Sequence, residues 1–259
     1  MTPAISHHLI SLKGYVPSIF DVEYVVIAAG GSSSSGIRGG GGGGGGYRSN
    51  VTGQNSGRGT GAESAKSVNV ETNYSVTVAG TPSIGANGGN SIFDNITSIG
   101  GGEGGENNGA GSAGGCGGGS GNNVNLPGSG TAAQGYDGGT NGANPAGGGG
   151  SGGAPSGVTG GVGTSSNVTG SAVTRAKGGT SQTGGGVAAT AGGANTGDGA
   201  GGRWDGAGAS GGSGVVYLLY PDVYTITIGV GLTGTETNRG DGYKYATITA
   251  GTGNVSWIS

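Results

Sequence analysis

Glycine decides what this chain can become. Of 259 residues, 73 are glycine, and most lie between two short apolar runs, DVEYVVIA at 21–28 and GVVYLLY at 214–220. They come in blocks: residues 39–46, GGGEGG at 100–105, GGCGGGSG at 114–121, GGGGSGG at 147–153 and GASGGSG at 208–214. A helix or an ordinary strand loses stability with each of these residues, because glycine forfeits more backbone freedom on ordering than any other residue. Two outcomes fit such a stretch: an unfolded tract, or a fold that needs the missing Cβ.

Glycine mixed with serine and lacking a strict period usually marks low complexity. Three features argue for a fold instead. The blocks are interrupted by Ile99, Val124, Leu126, Val158, Val162 and Val187, which a solvated linker does not need. Two strand-like runs bracket the tract. Only 9% of residues are charged, far from the composition of a solvated polyelectrolyte. The residues therefore predict a packed array of extended glycine helices of the polyproline-II type, with about three residues per turn and about 3.1 Å rise. Such a helix has no internal hydrogen bonds, so neighbouring segments must satisfy its N–H and C=O groups. Only glycine lets backbones come that close, with Cα–H to oxygen contacts as a secondary term. No Gly-X-Y period runs here, which excludes a collagen triple helix. The expected fold is mostly non-helical: a polyglycine-II sandwich bracketed by short β-strands, plus a small C-terminal β-hairpin element.

Hydrophobic residues make up 31% of the chain and aromatics 5%. That is too little apolar surface for a conventional core of this size, so backbone hydrogen bonding and close packing must carry more of the stability than usual. A formal charge of −3 leaves no electrostatic footprint for nucleic acid, and Arg38, Arg58 and Arg239 adjoin glycine only because glycine is everywhere. Cys116, the one cysteine, cannot form an intrachain disulfide and reads as a small residue tolerated in the array. No basic start with an apolar core marks a secretory leader, and no apolar run reaches the length of about 18 residues needed to insert in a membrane.

Along the chain, residues 1–20 read as an attachment arm; its His7–His8 pair points to opposite faces of an extended chain and makes a poor metal site. Residues 21–220 form the glycine-rich module, and residues 221–259 a β-rich tail. Within the module, residues 49–66 read as a polar loop and VNVETNYSVTVA at 68–79 as a strand of period two, opening a β-hairpin at 68–100. Residues 74–100 correspond to 224–251, with YSVTVAG matched by YTITIGVG and ITSIG by ATITAG, and predict two copies of one hairpin unit. From 100 to 213, glycine blocks alternate with polar segments at 122–146, 164–177 and 203–205, read as loops joining glycine helices at the two ends of the module.

Chemistry-bearing motifs are few. Matches to G-x-G-x-x-G are unavoidable in this composition, and no Walker lysine follows any of them. GGEGGE at 101–106 and TGDGAGG at 196–202 lack the tandem period of a calcium roll, so no metal is expected. N-x-S/T triplets at Asn50, Asn73, Asn95, Asn167 and Asn254 fit chance in a chain crowded with Asn, Ser and Thr. No acid, base and nucleophile can be assembled, so neither an enzyme nor a cofactor is expected. The informative minority is Tyr47, Arg48, Tyr136, Asp137, Arg203, Trp204 and Asp205, all at the ends of glycine blocks. Aromatic faces beside hydrogen-bonding groups suit sugar rings or protein hot spots; equally, these residues fit as plugs that keep water from the array.

The order YVVIAAGG, GGYR, NYSVTVAG, GGNSIF, ITSIGGG and GGSGVVYLLYP, over residues 22–220, resembles the glycine-rich domain of bacteriophage virion proteins. The mosaic of glycine motifs and polar segments is also similar to the polyglycine-II sandwich adhesins at the tips of T-even-like long tail fibres. The resemblance implies a virion protein made in the host cytoplasm and displayed on the particle exterior. It would be joined to other fibre or tail components, with the trimeric symmetry common in phage fibres, and would bind a bacterial surface polysaccharide or outer-membrane protein. A structural head or tail fibre, or a capsid decoration, is the alternative. Ice binding comes third, because flat glycine-helix arrays of that kind are built from nearly uninterrupted tripeptides.

Overall fold

A computed structural model describes residues 16–259; most of the expected arm, with His7 and His8, lies outside the described residues. Among the described residues the chain is almost entirely non-helical, as its glycine content predicts, with a single 3-10 turn at Gly57–Gly59. The two apolar runs are strands β1 (Ile19–Ile27) and β9 (Val215–Pro221). They lie side by side and antiparallel, with Glu23 opposite Leu219 and Ile27 opposite Val215. The whole glycine excursion therefore leaves from one strand and returns on its neighbour. Phe20, Val22, Tyr24 and Val26 of β1 join Val216, Leu218 and Tyr220 of β9 in one apolar cluster. Val25 and Ile27 join Val215, Tyr217 and Leu219 in another on the opposite face. A strand buried on both faces needs a nearly continuous apolar run, which is why both runs are so legible.

The remaining strands of the first half are β2 (Tyr47–Ser49), β3 (Lys66–Asn69), β4 (Tyr74–Val78), β5 (Ser91–Phe93) and β6 (Ile96–Ser98). Strands β7 (Thr164–Ser166) and β8 (Val173–Arg175) form a separate hairpin, and β10 (Thr225–Ile228), β11 (Leu232–Asn238) and β12 (Tyr243–Ile258) make up the C-terminal part. The main sheet runs β2-β1-β9-β12-β4-β5-β6, all antiparallel. Its first and last strands meet, with Arg48 Nη1 donating to Thr97 O at 3.4 Å, so the sheet curls into a nearly closed barrel. Trp257 of β12 fills the interior, its ring 5.8 Å from those of Phe20 and Tyr220 and 5.9 Å from that of Tyr74. The C-terminal segment thus shares a core with β1.

Tertiary pairing departs from the sequence reading in four places, the first being residues 164–177, expected as a loop, whose ends pair as the β7–β8 hairpin. Residues 68–79 are two strands: Glu71, at φ 57°, turns the chain, and β3 pairs with β1 while β4 pairs with β12. The two repeat copies are not equivalent hairpins. In the first, β4 pairs with β5; in the second, β10 pairs with the far end of β12, and β11, from the stretch joining the two matched arms, fills the space between. Residues 122–146 are not one loop, because Gly128 N donates to Gly118 O and Gly138 N to Gly128 O, both at 2.9 Å, adding two more lengths to the glycine region.

The glycine segments belong to neither helix nor sheet, and residues 39–46 lie at their centre, all buried. Their N–H groups address three partners in rotation. Gly40, Gly43 and Gly46 donate to Gly105, Gly102 and Ile99; Gly41 and Gly44 to Ala146 and Gly149; Gly42 and Gly45 to Ala200 and Gly197, all at 2.7–2.9 Å. The carbonyls follow the same count of three. Gly43 and Gly46 accept from Gly31 and Ala28, Gly41 and Gly44 from Gly119 and Cys116, and Gly42 from Gly179. Six segments therefore surround one. A Cβ placed on any glycine from 40 to 45 would lie under 3.0 Å from a neighbouring backbone carbonyl.

Candidate functional site

The register of the glycine segments sorts their connections into two ends. Residues 28, 46, 99 and 197 lie at the end where the chain enters the barrel. Counting three at a time toward the other end leads to residues 35–38, 105–108, 122–125, 141–146 and 203–206. Backbone bonds knit this far end together. Arg38 N donates to Trp204 O at 2.6 Å, Asn107 N to Ile37 O at 3.1 Å, Asn122 N to Arg38 O at 3.1 Å and Asn108 N to Asn122 O at 2.9 Å.

Of the seven residues singled out in the sequence, three lie here. Arg203 donates from Nε to Gly36 O at 2.6 Å and from Nη1 to Gly206 O at 3.0 Å, and Nη2 reaches Ser35 O. Asp205 Oδ1 accepts from Gly186 N at 2.6 Å. Trp204 is half-buried, with the Arg38 guanidinium 5.1 Å from its ring centre. Arg203 and Asp205 thus brace the loops, and Trp204 keeps part of its surface accessible.

The other four lie toward the barrel. Tyr47 is 1% exposed in the second apolar cluster, where burial pushes its phenol up to about 12. A side chain so enclosed plugs the array and touches no partner. Arg48 holds Glu63 through Nε at 3.0 Å and Nη2 at 2.6 Å, and Tyr24 OH donates to Glu63 Oε2 at 2.9 Å. This network lines a groove of about 890 Å³ over the barrel seam, beside Lys66, which pairs with Asp94. Its charged groups are thereby spent on one another. Asp137 pairs with Arg58 at 3.4 Å, and that guanidinium lies 5.4 Å from the Tyr136 ring.

Sequence reasoning passed over the far end's amides. Asn107, Asn108, Asn122, Asn123 and Asn125 come from two neighbouring loops. Asn122 Nδ2 donates to Asn107 Oδ1 at 3.4 Å, Asn123 Nδ2 to Asn108 Oδ1 at 3.3 Å, and Asn125 Oδ1 accepts from Gly142 N of a third loop at 3.0 Å. Asn108 (φ 60°) and Asn123 (φ 64°) adopt the left-handed turn conformation that asparagine tolerates better than most residues. The signal was the doublet Asn-Asn at 107–108 and again at 122–123.

Among the described residues no cluster of three or more His, Cys, Asp or Glu side chains could hold a metal ion, and no helix is long and apolar enough to cross a membrane. The fold and site define a glycine-rich β protein: an antiparallel, nearly closed barrel at one end and a loop-bearing surface at the other, with a backbone-packed region between. No protein-family model, characterised protein or solved structure matches the chain.

Proposed function

We propose that the glycine segments are polyglycine-II helices packed as a sandwich, and that the protein is a bacteriophage fibre or tail-tip adhesin binding a bacterial surface through the far-end loops. The rotation of hydrogen-bond partners every third residue supports the first part, since a helix of three residues per turn aims successive N–H groups at three different neighbours. The second part rests chiefly on the concentration of five connecting segments, with Trp204 among them, at the end remote from the barrel. A backbone-bonded array holds such loops rigid, so little conformational freedom is lost on binding. With the loops turned to the host, the barrel end then faces the other virion components. The ordered resemblance of residues 22–220 to virion glycine-rich domains agrees with this arrangement.

The test is adsorption of the purified chain to a panel of bacterial strains, with residues 122–125 and 203–206 exchanged for unrelated loops of equal length. The proposal expects the pattern of strains bound to change. An unchanged pattern with both exchanges counts against loop-mediated recognition. Labelling on the particle separates the structural alternative, because a tip adhesin occurs in few copies at fibre ends and a stiffening component along their length.

A further inference from the structure

We infer that the far-end surface takes a neutral, hydroxyl-rich glycan, held by the amides of Asn108, Asn123 and Asn125 beside Trp204; this deepens the adhesin reading and rests on it.

The first argument is chemical. An asparagine amide offers two donors and an acceptor oxygen with two lone pairs, matching hydroxyls that both donate and accept. Asn108, Asn123 and Asn125 are all exposed. Each is already oriented by one bond within the row: Asn108 and Asn123 to each other, Asn125 to Gly142 N. One bond leaves most of each amide's capacity facing outward, and the fixed orientation reduces the rotamer freedom lost on binding. Behind them Asn122, 3% exposed, has an Oδ1 without a hydrogen-bond partner among the described residues.

The second argument is continuity. Trp204 O accepts from Arg38 N, Arg38 O from Asn122 N and Asn122 O from Asn108 N, so the backbone segments that carry Trp204 and the amide row are bonded side by side. An indole takes the C–H face of a sugar ring while amides take its hydroxyl edge.

The third is charge. Two arginines, Arg38 and Arg203, stand against two carboxylates, Glu106 and Asp205, and Arg203 already serves three backbone carbonyls. An acidic polymer requires an excess of basic side chains, and this end lacks one.

The experiment takes strains that the purified chain binds and treats the cells with periodate, which cleaves vicinal diols, or with protease. Binding should fall at least tenfold after periodate, survive protease, and change less than twofold between 0.05 and 0.5 M NaCl. Asn108→Gly with Asn123→Gly removes two amides while keeping a residue suited to positive φ; this pair, and separately Trp204→Ala, should each weaken binding at least tenfold with melting temperature unchanged. Loss after protease alone, strong salt dependence, or full binding by both variants overturns the glycan inference and leaves the adhesin reading in place. Binding to no strain in the panel overturns the adhesin reading, and this inference falls with it.

Discussion

Trp257 and Gly43 are both buried, one at the centre of the barrel and the other at the centre of the array. Trp257 is held by the area its side chain covers, against Phe20, Tyr74 and Tyr220. Gly43 is held because it has no side chain: its N–H reaches Gly102 O and its carbonyl Gly31 N, both at 2.8 Å. In the barrel, packing gains from added apolar volume until the space is full. In the array the space is full before the first carbon is added. The two regions should therefore answer mutation in opposite ways.

The largest effect is expected where that contrast is sharpest. In Gly43→Ala the new Cβ meets Cys116 O, Cys116 C and Gly117 O, all under 3.0 Å and all backbone, so nothing can swing aside. A loss exceeding about 3 kcal/mol, and with it no soluble folded protein, is the expected result in expression and circular dichroism. Gly61→Ala is the matched control, having open space around its Cβ position and no positive φ. It should be neutral or slightly stabilising, by up to about 1 kcal/mol. Equal tolerance at both sites would break the comparison.

Trp257→Ala leaves a cavity among three aromatic rings and should cost about 3–5 kcal/mol in urea unfolding. Trp257→Phe should recover much of that, because the barrel reads volume. At the junction of the regions, Arg48→Met leaves the carboxylate of Glu63, 18% exposed, with fewer donors. A loss of about 2 kcal/mol is expected, small beside either core. Glu63→Gln should lower stability in the same direction.

The smallest effect concerns pH. Burial, then repulsion from Glu106, raises the Glu103 carboxyl above its ordinary value; burial also raises that of Asp198, partly offset by the Lys177 N–H. A raised carboxyl binds its proton more readily in the folded state. Its contribution to stability is therefore fully present below the unfolded value and lost as pH rises through the folded one. Lowering pH from neutral toward the ordinary carboxylate range should raise the melting temperature slightly through these two groups, and Glu103→Gln should flatten its share of that slope. A steeper slope in Glu103→Gln would contradict the sign.

Legibility differed between the two regions for the same physical reason. The runs that became β1 and β9 stand out because both faces are buried and both faces are therefore apolar. Strand β11 did not, since LTGTETN lies mostly exposed and its polarity matches that of a loop. The pairing of β10 with residues 255–258, rather than with its nearer neighbour, depends on a 16-residue β12 whose Gly251 and Gly253 disguise its length. At the candidate site, Arg203, Trp204 and Asp205 were readable as aromatic and charged residues at the edge of a glycine block. Tyr47 looked identical by that criterion and is buried. The asparagine row escaped notice because each doublet alone reads as a turn.

By itself the sequence determined that α-helices are excluded, that two strand-like apolar runs bracket the glycine tract, and that the remaining backbone must satisfy its hydrogen bonds between segments. Which segments meet was decided only in three dimensions. A bare glycine backbone offers the same N–H and C=O to every neighbour, so the tract carries almost no local code for its partners. The register comes instead from the strands and turns that clamp its ends, and with it the gathering of Asn108, Asn123 and Trp204 on one surface.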